Sequence, residues 1–217
     1  MHIPDGFVSG GINAVTYITA AGACAYSVRV ANRQLGEKQV PLMGLTAAFV
    51  FAAQMLNFPV AGGTSGHFLG ATLAAVLLGP WMCCLVMTVV LVVQCLGFAD
   101  GGLTALGTNI FNMGIVGGVF CYYIFAVLRW IMPKTKGGFI TAAGITAWVS
   151  VVLASGFCAA ELALSGTSPL RAALPAMAGI HALIGIGEAV ITTSVLAAVL
   201  NTRPDLVSTY VKSVHSA

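Results

Sequence analysis

Apolar residues gather in seven stretches along the chain: Ile12 to Val28, Pro41 to Leu56, Phe68 to Gly79, Trp81 to Phe98, Asn109 to Met132, Phe139 to Leu164 and Pro175 to Leu200. A helix that crosses a bilayer needs about 20 residues, so Phe68–Gly79 is too short alone. Joined to Trp81–Phe98 it makes an uncharged run of 31 residues, interrupted only by Gly79-Pro80. That run is one long span or two short ones turning at the Gly-Pro pair. Charge placement decides between them. With two spans the chain crosses seven times, and Arg29, Arg33, Lys38, Arg129, Lys134, Lys136, Arg203 and Lys212 share one side, leaving only Arg171 on the other. A single span would put the basic loops on opposite sides, against the bias of basic residues toward the cytoplasm.

The expectation is therefore an all-α, multi-pass protein of the inner (plasma) membrane. It has about seven transmembrane helices, the N-terminus outside and the C-terminus cytoplasmic. Residues 1–200 form a single transmembrane domain with an N-terminal tail, and residues 201–217 a short cytoplasmic tail with a frayed end. The tail before the first apolar stretch carries Asp5 and no Lys or Arg, so it lacks the positive region of a signal peptide.

Composition agrees. Hydrophobic residues are 59% of the 217, charged residues 7%, and mean hydropathy is +0.98, whereas a soluble domain carries about 25% charged residues. The net charge of +3 sits at segment ends, so nothing supports a nucleic-acid partner. All six cysteines lie within apolar runs and read as small core residues, not as a disulfide framework or zinc site. Glycines in AGACA, GIVGG and GIGEA let helices approach closely. Packing within the chain explains them; the alternative is a docking face for another membrane subunit, with Ala21 and Ala25 as candidates.

Candidate chemistry concentrates at the outer side. The opening Met1-His2-Ile3-Pro4-Asp5-Gly6 places a free amine directly before a histidine, because the large second residue disfavours removal of Met1. An α-amine titrates near 7.7–8.0 and imidazole near 6.5, so a metal displaces both protons at neutral pH. The amine, the backbone nitrogen of His2 and its Nδ1 can close two fused chelate rings with three nitrogens in one plane. Square-planar nitrogen coordination points to Ni(II) or Cu(II). His67, after the flexible Ala61-Gly62-Gly63-Thr64-Ser65-Gly66, is the candidate fourth ligand. Asp5, Asn57, Thr64 and Ser65 are candidate supports around these ligands, and the Pro4-Asp5-Gly6 turn bends the tail inward. His181, seven residues before Glu188 on one face of the last span, is a further candidate.

MHIPDG at the terminus, GGTSGHFLGA at 62–71, FADGGLTALGTNIFNMG at 98–114 and GIHALIGIGEA at 179–189 resemble the substrate-capture membrane subunits of energy-coupling-factor nickel and cobalt transporters, the NikM/CbiM family. The resemblance implies metal ligation by the amine of Met1, the amide nitrogen and imidazole of His2, and His67. It also implies a seven-helix bundle with the N-terminus outside. The implied partners are a transmembrane coupling protein, a pair of cytoplasmic ATPases and a small accessory membrane subunit. No Walker A sequence occurs in the chain, so an enzyme is not expected. The Pro-Asp form of the opening motif resembles the nickel members, and affinity order places Ni(II) above Co(II). The expected cargo is Ni2+, with Co2+ as the alternative.

Two rival readings stand beside this one. A secondary metal transporter would relay protons through Glu161, His181 and Glu188. A membrane enzyme would use His67 and Asp100 as acid and base, but paired carboxylates and a nucleophile motif are missing.

Overall fold

The structure, a computed structural model, describes residues 1–36 and 39–215. Lys38, counted above among the basic residues of one side, lies outside the described residues. The helices are α1 (Gly10–Gln34), α2 (Gln39–Gln54), α3 (Ala71–Leu78), α4 (Pro80–Phe98), α5 (Leu106–Ile131), α6 (Lys136–Leu164), α7 (Leu170–Thr202) and α8 (Ser208–His215). Four of them, α4 to α7, are long and apolar enough to cross a membrane, and α2 is a shorter apolar helix. The expectation of an all-α fold holds apart from one small feature. Strands β1 (Phe58–Pro59) and β2 (Ser65–Gly66) pair antiparallel, Phe58 opposite Gly66, and form a hairpin between α2 and α3.

The bundle is apolar on its outside and carries polar side chains within its apolar core. Facing outward are Ile18, Leu45, Leu96, Trp130, Leu164 and Leu183, each at least 67% exposed. Inside lie Gln54, Gln94, Asn112, Ser150, His181, Glu188 and Thr192, all at 1% or less. In water this arrangement would be costly, whereas in lipid the outer apolar face needs no partner. Helix contacts then depend on small residues and buried hydrogen bonds. Helix α1 turns Thr16, Ala20, Ser27 and Ala31 inward, and Thr16 Oγ1 shares a 2.8 Å hydrogen bond with Thr108 Oγ1 of α5.

The third apolar stretch does not form a full span. Helix α3 has eight residues, about 12 Å of rise, and every residue from Gly66 to Leu78 is buried. It is a half-helix wrapped by its neighbours, preceded by the hairpin and a buried loop. Irregular backbone at such depth is tolerated where protein surrounds it. The chain turns between α3 and α4 at Gly79-Pro80, the pair singled out in the sequence. Gly79 has φ 93° and ψ 164°, a region essentially restricted to glycine, and Pro80 opens α4, where its missing N–H costs nothing.

Helix α5 widens into a π-helical stretch over Phe111–Phe120, a form that is rare and mostly found at functional sites. It carries Asn112, whose Nδ2 donates to Glu161 Oε2 at 2.5 Å. Helices α6 and α7 pack as a long pair, and the indole of Trp148 donates to Ala182 O at 3.0 Å.

The expectation of a frayed end after residue 202 is corrected for the residues up to Tyr210. Val207 is fully buried, Thr209 Oγ1 donates to Val76 O of α3 at 2.7 Å, and Tyr210 packs edge-on to Phe139 with centroids 5.1 Å apart. Composition around Asp205 and Ser208 hides this docking, because three contacts, not overall hydropathy, produce it.

Gly79→Ala tests the break. A Cβ there meets no atom within 4 Å, so the expected loss of about 1–3 kcal/mol comes from backbone strain alone. Unfolding in mixed detergent micelles measures it, and an unchanged midpoint would show that the turn tolerates an L-residue.

Candidate metal centre

The N-terminal tail does not hang in solvent. Met1 and Ile3 are fully buried and His2 is 3% exposed, with the tail running inward between the hairpin and α4 and α5. Three contacts seat it. Asn109 of α5 closes on Ile3 from both sides, accepting from its N–H at 2.9 Å and donating to its carbonyl at 3.2 Å. Gly102 N donates to the same carbonyl at 2.8 Å. Asp5 accepts from Thr104 N and Thr104 Oγ1 at 2.7 and 2.6 Å, which holds its carboxyl below the usual carboxylate range.

This seat needs a glycine at 102. A Cβ there would stand 2.2 Å from Asp5 N and 2.6 Å from Pro4 C, so tail and loop approach backbone to backbone.

At the inner end of the tail four nitrogens gather. The Met1 amine donates to Ser65 O and, at 2.8 Å, to Ser65 Oγ. The His2 backbone N–H donates to the same hydroxyl at 3.0 Å. The rings of His2 and His67 stack with centroids 4.3 Å apart. Burial pushes the amine down to about 5. Burial, helped by the neighbouring amine, pushes His2 down to about 3 and His67 well below its ordinary value. The site favours neutral nitrogens, the form that ligates a metal.

Hydrogen bonds fix which ring nitrogens are free. His67 Nδ1 lies 2.7 Å from Phe68 O; a carbonyl only accepts, so Nδ1 carries the proton and Nε2 the lone pair. His2 Nε2 lies 3.0 Å from Gln94 Oε1, which leaves the lone pair on Nδ1. His67 Nε2 and His2 Nδ1 are both buried without a hydrogen-bond partner in the chain. Leaving such an atom unsatisfied costs about 1–3 kcal/mol. Second contacts that orient a ring and raise its basicity are the usual surroundings of a ligating histidine.

The loop bearing His67 is held from below. Glu188 of α7, 1% exposed, accepts from Leu69 N and Gly70 N, each at 2.8 Å. Gln54 Nε2 donates to Leu69 O at 2.7 Å. These bonds fix the backbone next to Phe68 O, and hence the carbonyl that sets the His67 ring.

The candidates from sequence divide accordingly. Met1, His2, His67 and Ser65 come together. His181 stands close by, its Nδ1 on Met177 O at 2.7 Å and its Nε2 without a partner. Thr64 faces away, toward Met177 Sδ and Cys158 Sγ. Asn57 holds not the chelate but Asp100, its Nδ2 donating to Oδ2 at 2.8 Å. Asp5 holds the loop at Thr104. Gln94 and Asn109 escaped the sequence reading, although polar amides within apolar spans are a signal in themselves. Among the described residues no group of three or more His, Cys, Asp or Glu side chains is gathered to hold a metal. Half of the available donors here are backbone nitrogens.

Fold and site define a polytopic helical membrane protein whose buried chain terminus forms a nitrogen-rich centre. Residues 2–206 match the family described as the cobalt uptake substrate-specific transmembrane region, and the chain belongs to it. It is 42% identical over 209 residues, 95% of its length, to a protein of Archaeoglobus fulgidus named as a fused nickel transport protein, covering 68% of that relative. It is 34% identical over 216 residues to a cobalt transport protein of Sorangium cellulosum, covering 95% of this chain and 94% of that one. The fold is similar to the crystal structure of a truncated transition metal transporter, with a TM-score of 0.87, 34% identity, and coverage of 93% of this chain and 99% of the other.

Gly102→Ala should unseat the tail while the bundle stays folded. Overpacking of this kind costs about 1–3 kcal/mol, so acylation of the Met1 amine in micelles should rise about tenfold or more. Labelling at the wild-type rate would mean that Gly102 does not hold the tail.

Proposed function

We propose that this chain captures Ni(II) with high affinity at the outer face of the plasma membrane, as the substrate-binding component of an ATP-driven energy-coupling-factor importer. The observation that carries the reading is the burial of a free amine and two partnerless imidazole nitrogens side by side. The four ligands are the Met1 amine, the His2 amide nitrogen, His2 Nδ1 and His67 Nε2. Ser65, whose hydroxyl meets both the amine and the amide N–H, holds the chelate rings in place.

In this reading α1 to α7 make seven crossings, α3 as a half-helix. The ends bearing Arg29, Arg33, Arg129, Lys134, Lys136 and Arg203 are cytoplasmic, and the tail enters from outside. ATP hydrolysis belongs to a separate pair of cytoplasmic subunits. They act through a transmembrane coupling protein, with a small accessory membrane subunit beside the capture chain. Nickel is favoured over cobalt because deprotonated-amide, planar ligation suits Ni(II) and because affinity at a given nitrogen site rises from Co(II) to Ni(II). Cobalt is the competing cargo, given the relative so named in Sorangium cellulosum. The proton-relay rival is weakened by the engagement of Glu188 with Leu69 N and Gly70 N.

Two experiments test the reading on protein whose intact mass shows that it starts at Met1. One added residue, or an acetyl group, before Met1 removes the amine from the chelate and is expected to abolish tight nickel binding in calorimetry. Undiminished affinity in the extended protein would sink the tail chelate. His67→Ala leaves three planar nitrogens, so binding should weaken by at least the roughly tenfold to hundredfold that loss of a supporting contact costs, with the helical signal intact. Full retention would move the fourth ligand elsewhere, His181 first.

A further inference from the structure

A cavity of about 780 Å³ leads from the surface, where Asp5 and Leu103 are exposed, down to the side of His2 and Ser65. Among the described residues that line it, the carboxylates of Asp5 and Asp100 are the formal charges. They differ in availability. Asp5 Oδ1 already takes two donors from Thr104. Asp100 is held by one oxygen only, Oδ2 on Asn57, and turns Oδ1 to within 3.3 Å of His2 Nδ1.

That contact is not a hydrogen bond. Nδ1 is buried and partnerless, and Gln94 Oε1 already claims the ring's proton at Nε2. A carboxylate oxygen and an imidazole lone pair therefore face each other. Two adjacent ligands of one first-row divalent cation, at bond lengths of about 2.1 Å, lie roughly 3 Å apart. The backbone is arranged for this placement: Ala99, just past the end of α4, takes the left-handed conformation at φ 53°, unusual for a residue with a Cβ. Asp100 N then closes the helix end by donating to Gln94 O at 3.0 Å. The residue that orients the His2 ring and the residue that faces it are thus set by the same helix terminus.

The geometry points to Asp100 as an entry ligand. An incoming divalent cation is bound first between Asp100 Oδ1 and His2 Nδ1, and passes from there to the amine, the amide nitrogen and His67. The inference rests on the proposed capture site and adds to it the group that loads it. Asp100 is absent from the final planar set, so it lowers the barrier to arrival and to departure alike and leaves the affinity unchanged.

Stopped-flow mixing of NiCl2 with the full chain in micelles, native N-terminus intact, measures both rates. In Asp100→Asn the association rate is expected to fall about tenfold or more, within the range over which charge placement changes on-rates. The dissociation rate should fall by the same factor, so that the affinity and the visible band of planar Ni(II) stay as in the wild type. The deficit should persist in concentrated salt, where attraction at a distance is screened. Asp100→Glu, which keeps the carboxylate, should restore most of the rate and serves as the comparison should the asparagine variant fold poorly. Association unchanged in D100N would overturn the proposal, as would a deficit that salt removes. Faster dissociation at an unchanged association rate would make Asp100 a positioning residue only. If the wild-type chain bound no nickel, the capture reading itself would fall, and that outcome is distinct from all of these.

Discussion

The centre depends on one costly placement, a chain terminus with its amine and two imidazole rings buried inside a lipid-facing bundle at the foot of a surface cavity. An amine and an imidazole lose favourable hydration when buried, and the charged forms lose most. Neutral nitrogens with unpaired lone pairs remain, held in place by groups that have nothing else to do. Asn109, Gly102 and Thr104 fix the tail, and Ser65 presents the hairpin to it. Remove the seat and the donors disperse, since two of them belong to the backbone of a free end.

The second half of the centre is built in the opposite manner. His67 sits on a loop that enters the bundle ahead of a half-helix, where backbone N–H groups have neither water nor a preceding turn to satisfy them. Glu188 supplies that satisfaction from α7 with a carboxylate spanning two consecutive amides. A carboxylate inside an apolar bundle is tolerable because both oxygens are engaged. The same engagement sets the ring orientation of His67 through Phe68 O. One buried acid thus replaces a helical turn and orients the ring of His67.

Much of this was legible along the chain, and the boundary of what was legible is physical. The Gly79-Pro80 break and the spans are local properties of hydropathy and backbone freedom, and they can be read from a few neighbouring residues. Met1-His2 and the glycine-rich approach to His67 were readable because chelate geometry is also local. The partners of those residues were not. Asn109 meets Ile3 across 106 positions and Glu188 meets Leu69 across 119, and no pattern of spacing encodes such pairings. Gln94 looked like one more polar residue in an apolar span. The hairpin escaped because strands of two residues have no periodicity, and the docking of Val207 and Tyr210 because three contacts do not register in composition.

A centre made from the chain's own end has a consequence for how an ion could leave it. Side-chain sites release cargo when one helix moves relative to another, but here half of the proposed donors move only if the tail moves. The bonds on Ile3 and Asp5, from Asn109, Gly102 and Thr104, come from α5 or the loop leading into it, while the Met1 amine and the His2 N–H donate to Ser65 of the hairpin. The loop of His67 is tied instead to α7 and α2. The two halves of the set are therefore carried by different parts of the bundle. In the proposed centre, a displacement of α5 against α7 would draw amine, amide and imidazole away from His67 at the expense of their bonds to Ser65. The π-helical stretch of α5 lies in the same helix as Asn109, just beyond it. There the backbone is already off the α-helical ladder. If the proposed ligand set holds, release asks for no unfolding of the tail, only the relative movement of two helices.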